Sequence, residues 1–338
     1  MEDEKIDHFE LSDDLRICRI INGMWQTAGG HGQIKEHDAI NEMLSYHGSG
    51  LTTWDMADIY GPAEEFLGKF RMLLAKKMGL RELGNIQALT KFVPSPGRMT
   101  RATVEHFVDK SRRRMGVDSI DLLQFHWWDY NDTSYLDALY YLSKLQGEKK
   151  IRTLGLTNFD TERLQIIIES GFKMVSNQVQ YSVIDQRPEI CMVPFCQKHG
   201  MKLLTYGTLL GDFLSEGYLG APEPTRSGLY TLSLQKYKHM IDVWGGWGLF
   251  QELLEVLDAI AQKHGVSIAN VATRYILDKP NVAGVIIGAR LGISEHISDN
   301  CRVFRLRLES EDLNEIRSVT SRSNDLYESI GDCGAEYR

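Results

Sequence analysis

The chain has 338 residues, 43% of them hydrophobic and 25% charged, which is the balance of a folded globular protein with a sizeable core. Lysine and arginine number 38 against 46 aspartates and glutamates, and the resulting net charge of −8 argues against a general nucleic-acid or anionic-membrane surface. Five cysteines without CxxC spacing suggest neither a zinc site nor a disulfide framework, and neither the acidic opening MEDEKIDHFELSDD nor any later apolar run reads as an export signal or membrane span, so a cytoplasmic chain is expected.

In chain order, β-rich runs occur at 17–25, 51–57, 86–92, 120–127, 152–159, 176–182, 202–209 and 282–289. Helical patterns with apolar residues at three- and four-residue steps lie between them, at 39–47, 64–77, 103–115 and 134–145. Pro62 and Pro188 suit a first helical position, and Ser294 and Ser310 suit N-caps. Eight strand-helix alternations in a chain of this length predict an α/β fold of the (β/α)8 TIM barrel type rather than a doubly wound sheet. The barrel is expected at 17–320, between an N-terminal tail (1–16) and a C-terminal tail (321–338). The even spacing breaks between Leu209 and Val282, where a long insertion separates the seventh and eighth strands. Its first part, GDFLSEGYLGAPEPTRSG (211–228), reads as a long loop over the barrel mouth, followed by helical segments including 249–265.

Function in such a barrel sits at the C-terminal ends of the strands, and the polar residues obey that rule. Asp55 and Tyr60 end the second run, Lys91 the third, His126 the fourth and Asn158 the fifth; Gln178 lies in the sixth and Tyr206 in the seventh. A phenol of ordinary pKa about 10 is a slow proton donor unless its phenolate is stabilised, as a lysine ammonium would do. A carboxylate such as Asp55 would hold that ammonium charged, and a histidine such as His126 would orient a substrate carbonyl and share its proton. Taken one at a time, Asp55 reads as a strand-end cap, Lys91 as a solvated lysine and His126 as a core histidine. Their convergence on one mouth favours chemistry. Asp58 receives no role.

The segments WDMADIYG, LTKF, LLQFHW, GLTNF, NQVQYS and LLTYGTLLG, in this order, resemble the signatures of the aldo-keto reductases, over about residues 23–300. The resemblance implies a catalytic tetrad of Asp55, Tyr60, Lys91 and His126, with Tyr60 the proton donor to an aldehyde, ketone or sugar carbonyl reduced by NADP, or alternatively NAD. It implies that Thr157, where the family commonly has serine, holds the nicotinamide carboxamide with Asn158 and Gln178, and that Tyr206 stacks on the ring. Gly207, Thr208, Leu209, Gly211 and Gly288 fall on further cofactor positions. In GARLGISEHISDN (288–300), a turn leads into a helix start favourable to phosphate, and Arg290, His296, Asp299 and Asn300 fall on adenosine-phosphate positions. Arg290 is able to grip a 2′-phosphate bidentately. Trp25, Trp127 and Trp128 are expected in the substrate pocket, whereas Trp54, next to Asp55 on an alternating strand, should face the helices. The partners implied are a small carbonyl or alcohol substrate, with no metal, nucleic acid or membrane, and the chain is expected to be a monomer.

Two rival readings remain. Tyr140-x-x-x-Lys144 has the spacing of a short-chain dehydrogenase pair, but it sits in an amphipathic helix and no glycine-rich dinucleotide turn follows the first strand. The alternative from another class is a cofactor-binding regulatory subunit resembling potassium-channel beta subunits; the short acidic N-terminus, with no evident channel-blocking segment, favours the enzyme.

Overall fold

The computed structural model describes residues 6–32 and 34–338. The chain opens with a hairpin, β1 (His8–Ser12) and β2 (Leu15–Cys18), paired antiparallel. Eight parallel strands follow: β3 (Ile20–Gly23), β4 (Thr53–Asp55), β5 (Gln87–Phe92), β6 (Ile120–Phe125), β7 (Ile151–Thr157), β8 (Ser176–Gln180), β9 (Lys202–Tyr206) and β10 (Val282–Gly288). They close into a barrel in chain order, β10 pairing with β3. The outer layer comprises α1 (Glu36–Gly48), α2 (Ala63–Met78), α3 (Arg101–Met115), α4 (Tyr135–Gly147), α5 (Thr161–Glu169), α6 (Met192–His199), α7 (Leu232–Trp244), α8 (Gly246–His264), α9 (Ile268–Leu277), α10 (Ile297–Arg302), α11 (Ser310–Thr320) and α12 (Leu326–Ile330). All eight expected barrel strands are present. A continuous core lies between strands and helices, because strands buried on both faces supply outward apolar residues such as Trp54, Phe125 and Leu156. Trp54 packs against Tyr46 and Phe70 of the helices, as the alternation with Asp55 requires.

Several expectations give way to the structure. The part of the N-terminal tail beyond residue 5 is not a tail: Leu11, Leu15 and Ile17 of the hairpin pack on Ile21, Leu89, Leu122, Leu204 and Ala283 and plug one end of the barrel. Residues 1–5 lie outside the described residues. The stretch 211–228 is not one open loop but three short 3-10 turns (Leu210–Asp212, Glu216–Tyr218, Arg226–Gly228). It is compact because Phe213 and Tyr218 pack on Trp247 of α8. Pro62 is an N-cap rather than a first helical residue, Pro188 lies in a three-residue 3-10 turn, and α11 is capped by Glu309 with Asp312 rather than by Ser310. Ser294 bridges to Arg290 and caps nothing; α10 starts three residues later, with the Glu295 carboxylate accepting from the Ile297 N–H. That anion meets the start of a six-residue helix, so the phosphate-favouring helix start expected there is already capped.

Candidate active site

The strand ends bring Asp55, Lys91, His126, Asn158, Gln178 and Tyr206 to one end of the barrel. Asp55 ends β4, and its register beside Leu89 sets it next to Lys91 two residues further along β5. The Lys91 ammonium donates to Asp55 Oδ2 and to Met56 O at 2.9 Å. Both side chains are about 5% exposed, so the pair sits in low dielectric and needs every remaining lone pair filled. Two amides do this: Gln124 Nε2 and Gln178 Nε2 donate to Asp55 Oδ1 at 2.8 and 2.9 Å, and Gln178 Nε2 also donates to Gln124 Oε1 at 2.7 Å. Gln124 escaped the sequence reading. Its signal was alternation: it stands two residues before His126 on β6, so both point inward.

Tyr60 follows β4 in a turn whose ring carries the Lys91 ammonium 4.9 Å from its centroid. Burial, with the Asp55 and Tyr337 groups adding to it, holds the Tyr60 phenol well above its ordinary range. The expected lowering of the phenol pKa is therefore corrected: with the Lys91 ammonium over its ring, burial still dominates and holds the phenol above its ordinary range. Burial likewise lowers the Lys91 pKa, against the pull of Asp55. Asp58 now has a place. Its carboxylate accepts from the Val93 N–H at 3.3 Å, and its own N–H donates to Lys91 O, stitching the Tyr60 turn to the end of β5.

His126 Nδ1 lies 3.1 Å from Thr157 O. A carbonyl accepts only, so Nδ1 carries the proton and Nε2 keeps its lone pair; Nε2 is buried with no partner among the described residues. Burial pushes the imidazole down to about 4, so it is neutral near pH 7. A neutral Nε2 of this tautomer accepts a proton rather than offering one to a carbonyl, which corrects the expected sharing of a proton with the substrate.

Of the expected aromatics, Trp25 meets the Tyr60 ring edge-on at 5.0 Å and Trp128 meets His126 at 4.3 Å, and both remain more than a third exposed. Trp127 does not belong with them. It alternates away from His126 into the core beside Phe125, with its indole N–H donating to Asp129 O and Asp132 O. Trp244 and Trp247 are buried in the insertion.

The residues expected to hold a dinucleotide divide. Thr157 Oγ1 donates to Gln178 O, and both amide protons of Gln178 are committed, so its contribution to a carboxamide would be its carbonyl oxygen. Asn158, at φ 59°, has its Oδ1 2.8 Å from the Tyr206 hydroxyl and would offer its NH2. Thr208 Oγ1 donates to Tyr181 O, Leu209 packs against the core, and Gly288 lies against Gln26. Gly207, at φ 71°, is closed over by α7: a Cβ there would lie 2.5 Å from the Tyr237 hydroxyl, and one at Gly211 2.9 Å from Ser233. Arg290 donates to His31 O at 3.0 Å, while its Nε is buried without a partner among the described residues. That orphaned donor suits a phosphate oxygen. Asp299 is instead engaged with Ser267 and Asn270, tying α10 to α9, and Asn300 is buried in α10 behind the His296 cap. The donors left over at Asn158 and Arg290 would suit the carboxamide and a phosphate of a nicotinamide dinucleotide.

Among known proteins, the chain is similar to flagellar radial spoke protein 5 of Chlamydomonas reinhardtii, at 31% identity over 66% of this chain and 49% of that protein, about half its length. It is similar to aryl-alcohol dehydrogenase GME11368 of Pestalotiopsis microspora, at 26% identity over 88% of this chain and 75% of the relative. A solved structure of an aldo/keto reductase from Klebsiella pneumoniae in complex with NADP and acetate shares the fold, with a TM-score of 0.69 and 21% identity over 94% of this chain and 96% of that one. The sequence profile of the Aldo/keto reductase family matches residues 19–321, and the chain belongs to that family.

Proposed function

We propose that the protein is an NADP-dependent oxidoreductase interconverting a small aldehyde, ketone or sugar carbonyl and its alcohol, with Tyr60 as the proton-transferring group. The observation that carries this reading is the buried Lys91–Asp55 pair beneath Tyr60, with its remaining acceptor filled by Gln124 and Gln178. A bound nicotinamide supplies or removes the hydride. The protein's part is proton placement. Tyr60, held protonated by burial, donates to the carbonyl oxygen, and the Lys91 ammonium over its ring offsets the charge that grows on the phenol. His126, with its lone pair at Nε2, accepts from a substrate hydroxyl and orients the alcohol. Trp25 and Trp128 flank these groups with apolar rings suited to the body of a small substrate. Arg290 takes the 2′-phosphate, consistent with the NADP held by the Klebsiella relative. A monomer in the cytoplasm is part of this proposal; no helix among the described residues is long and apolar enough to cross a membrane.

A second reading has its own support, since one relative is named as a flagellar radial spoke protein. There the barrel would serve as an assembly component, in the same class as the regulatory-subunit alternative. One experiment separates them. A panel of aldehydes, ketones, aldoses and alcohols, assayed with NADPH and NADP+ by nicotinamide absorbance, should show turnover that Tyr60→Phe lowers by about 10²–10⁴-fold while NADPH still binds. Tight NADPH binding with no turnover of any substrate would favour the assembly reading.

A further inference from the structure

Residues 331–338, GDCGAEYR, were expected to end a tail, yet they form a hook over the barrel mouth. Its base is ionic. Arg187, 1% exposed, donates to Asp185 from Nε at 2.7 Å and Nη2 at 2.8 Å, and to Glu336 Oε2 from Nη1 at 3.1 Å. Burial would raise the Glu336 carboxyl, but Arg187 and Lys236 outweigh it and hold the group below its usual range. The hook's grip falls on Asn158. Gly334, at φ 88°, lies so close that a Cβ would come 2.1 Å from Asn158 O, and Arg338 Nη2 donates to that same oxygen at 3.1 Å and to Trp127 O at 3.0 Å.

Between these anchors runs a chain of hydrogen bonds whose direction can be counted. Lys236 of α7 donates to the Tyr337 oxygen at 2.6 Å, the Tyr337 and Tyr206 hydroxyls are 3.0 Å apart, and Tyr206 is 2.8 Å from Asn158 Oδ1. An amide oxygen only accepts, so the single Tyr206 proton goes to Asn158, and Tyr337 must be the donor to Tyr206. A competing acceptor stands nearby: Glu336 Oε1 is 3.4 Å from the Tyr206 hydroxyl. If Tyr337 no longer donated, the Tyr206 proton could turn to that carboxylate, and no other hydrogen bond among the described residues would then fix which end of the Asn158 amide faces the ring site.

We infer that Tyr337 and Lys236 are positioning residues for the nicotinamide end of the cofactor, acting through Tyr206 to set the orientation of the Asn158 amide. The inference rests on the proposed placement of nicotinamide at Asn158 and Tyr206. The phosphate end at Arg290 is served by a different segment and should not sense the hook. The test compares binding of NADP+ with binding of adenosine 2′,5′-bisphosphate, which lacks the nicotinamide, each titrated by quenching of tryptophan fluorescence. Tyr337→Phe and Lys236→Met should each weaken NADP+ roughly three- to tenfold, the worth of one or two neutral hydrogen bonds, and leave the bisphosphate unchanged. Lys236→Arg should restore NADP+ affinity. Equal losses for both ligands, or no loss for either, in variants with wild-type thermal unfolding would overturn the inference. A wild-type protein that binds neither ligand would sink the functional proposal itself, whereas wild-type binding with an unchanged ratio in the variants would sink only the role of the hook.

Discussion

Two buried ionic clusters lie at the barrel mouth, and they are built differently. Asp55–Lys91 joins neighbouring strands, with its partners contributed by β6 and β8, so the barrel itself sets its geometry. Asp185–Arg187–Glu336 joins a loop after β8 to a segment about 150 residues later and draws on backbone carbonyls at Gly331 and Asp332. In the first, one cation faces one carboxylate beside the Tyr60 phenol. In the second, one guanidinium holds two carboxylates. The difference teaches that the site has a rigid floor made by the strands and a separate wall made by the hook, each fastened by its own charge.

The largest effect should come from breaking the floor. Lys91→Met leaves Asp55 charged, buried and without its ammonium, which should cost about 3–5 kcal/mol in stability, read as a lowered midpoint in urea unfolding. A loss below about 1 kcal/mol would mean that Gln124 and Gln178 suffice to hold the carboxylate.

Asp58 sharpens the contrast, because its side chain accepts from a backbone N–H and makes no ion pair among the described residues. Burial raises its carboxyl to about 6, with the Val93 N–H opposing. The ordinary value is 3.8, so the folded state holds the proton more tightly than the unfolded chain, and stability falls as pH climbs from about 4 through 6. Asp58→Asn should therefore stabilise the protein above pH 6 by at most about 3 kcal/mol and change nothing below pH 4. A gain independent of pH would assign the effect to packing.

Arg290 extends the comparison to cations, since Arg187 is fully engaged whereas Arg290 Nε is not. Arg290→Met should weaken NADPH about ten- to hundredfold and hardly touch NADH, measured by fluorescence titration of each. Equal losses would make Arg290 a support for the 288–300 turn. The smallest effect is expected in the wall. Glu336→Gln keeps a hydrogen-bonding partner for Arg187 while Asp185 still neutralises it, so the cost should be about 1–2 kcal/mol by the same unfolding assay, well short of Lys91→Met. A loss as large as that of Lys91→Met would show that floor and wall form one cooperative unit.

Much of this was legible in the chain. The eight β-rich runs reappear as the barrel strands within a few residues, and the order Asp55, Tyr60, Lys91, His126 marks strand ends that the barrel gathers at one mouth. Alternation put Trp54 outside, and the same rule applied to β6 would have found Gln124 and set Trp127 apart from His126 and Trp128. The proton on His126 Nδ1 was not legible, because it depends on Thr157 O in the next strand. Nor was the raised phenol of Tyr60, which follows from how deeply the turn is buried.

Local patterns of hydrophobicity and polarity determined the strands, their order and the ring of chemical groups at their ends, since each is written within a few residues of chain. Only the tertiary structure decided that the first residues described form a plug and the last a wall. Short polar segments such as HFELS and GDCGAEYR carry no period long enough to announce a fold. They are held by partners distant in the sequence, Leu89 and Leu204 for the plug and Asn158, Arg187 and Lys236 for the wall, and that closeness exists only once the barrel has closed.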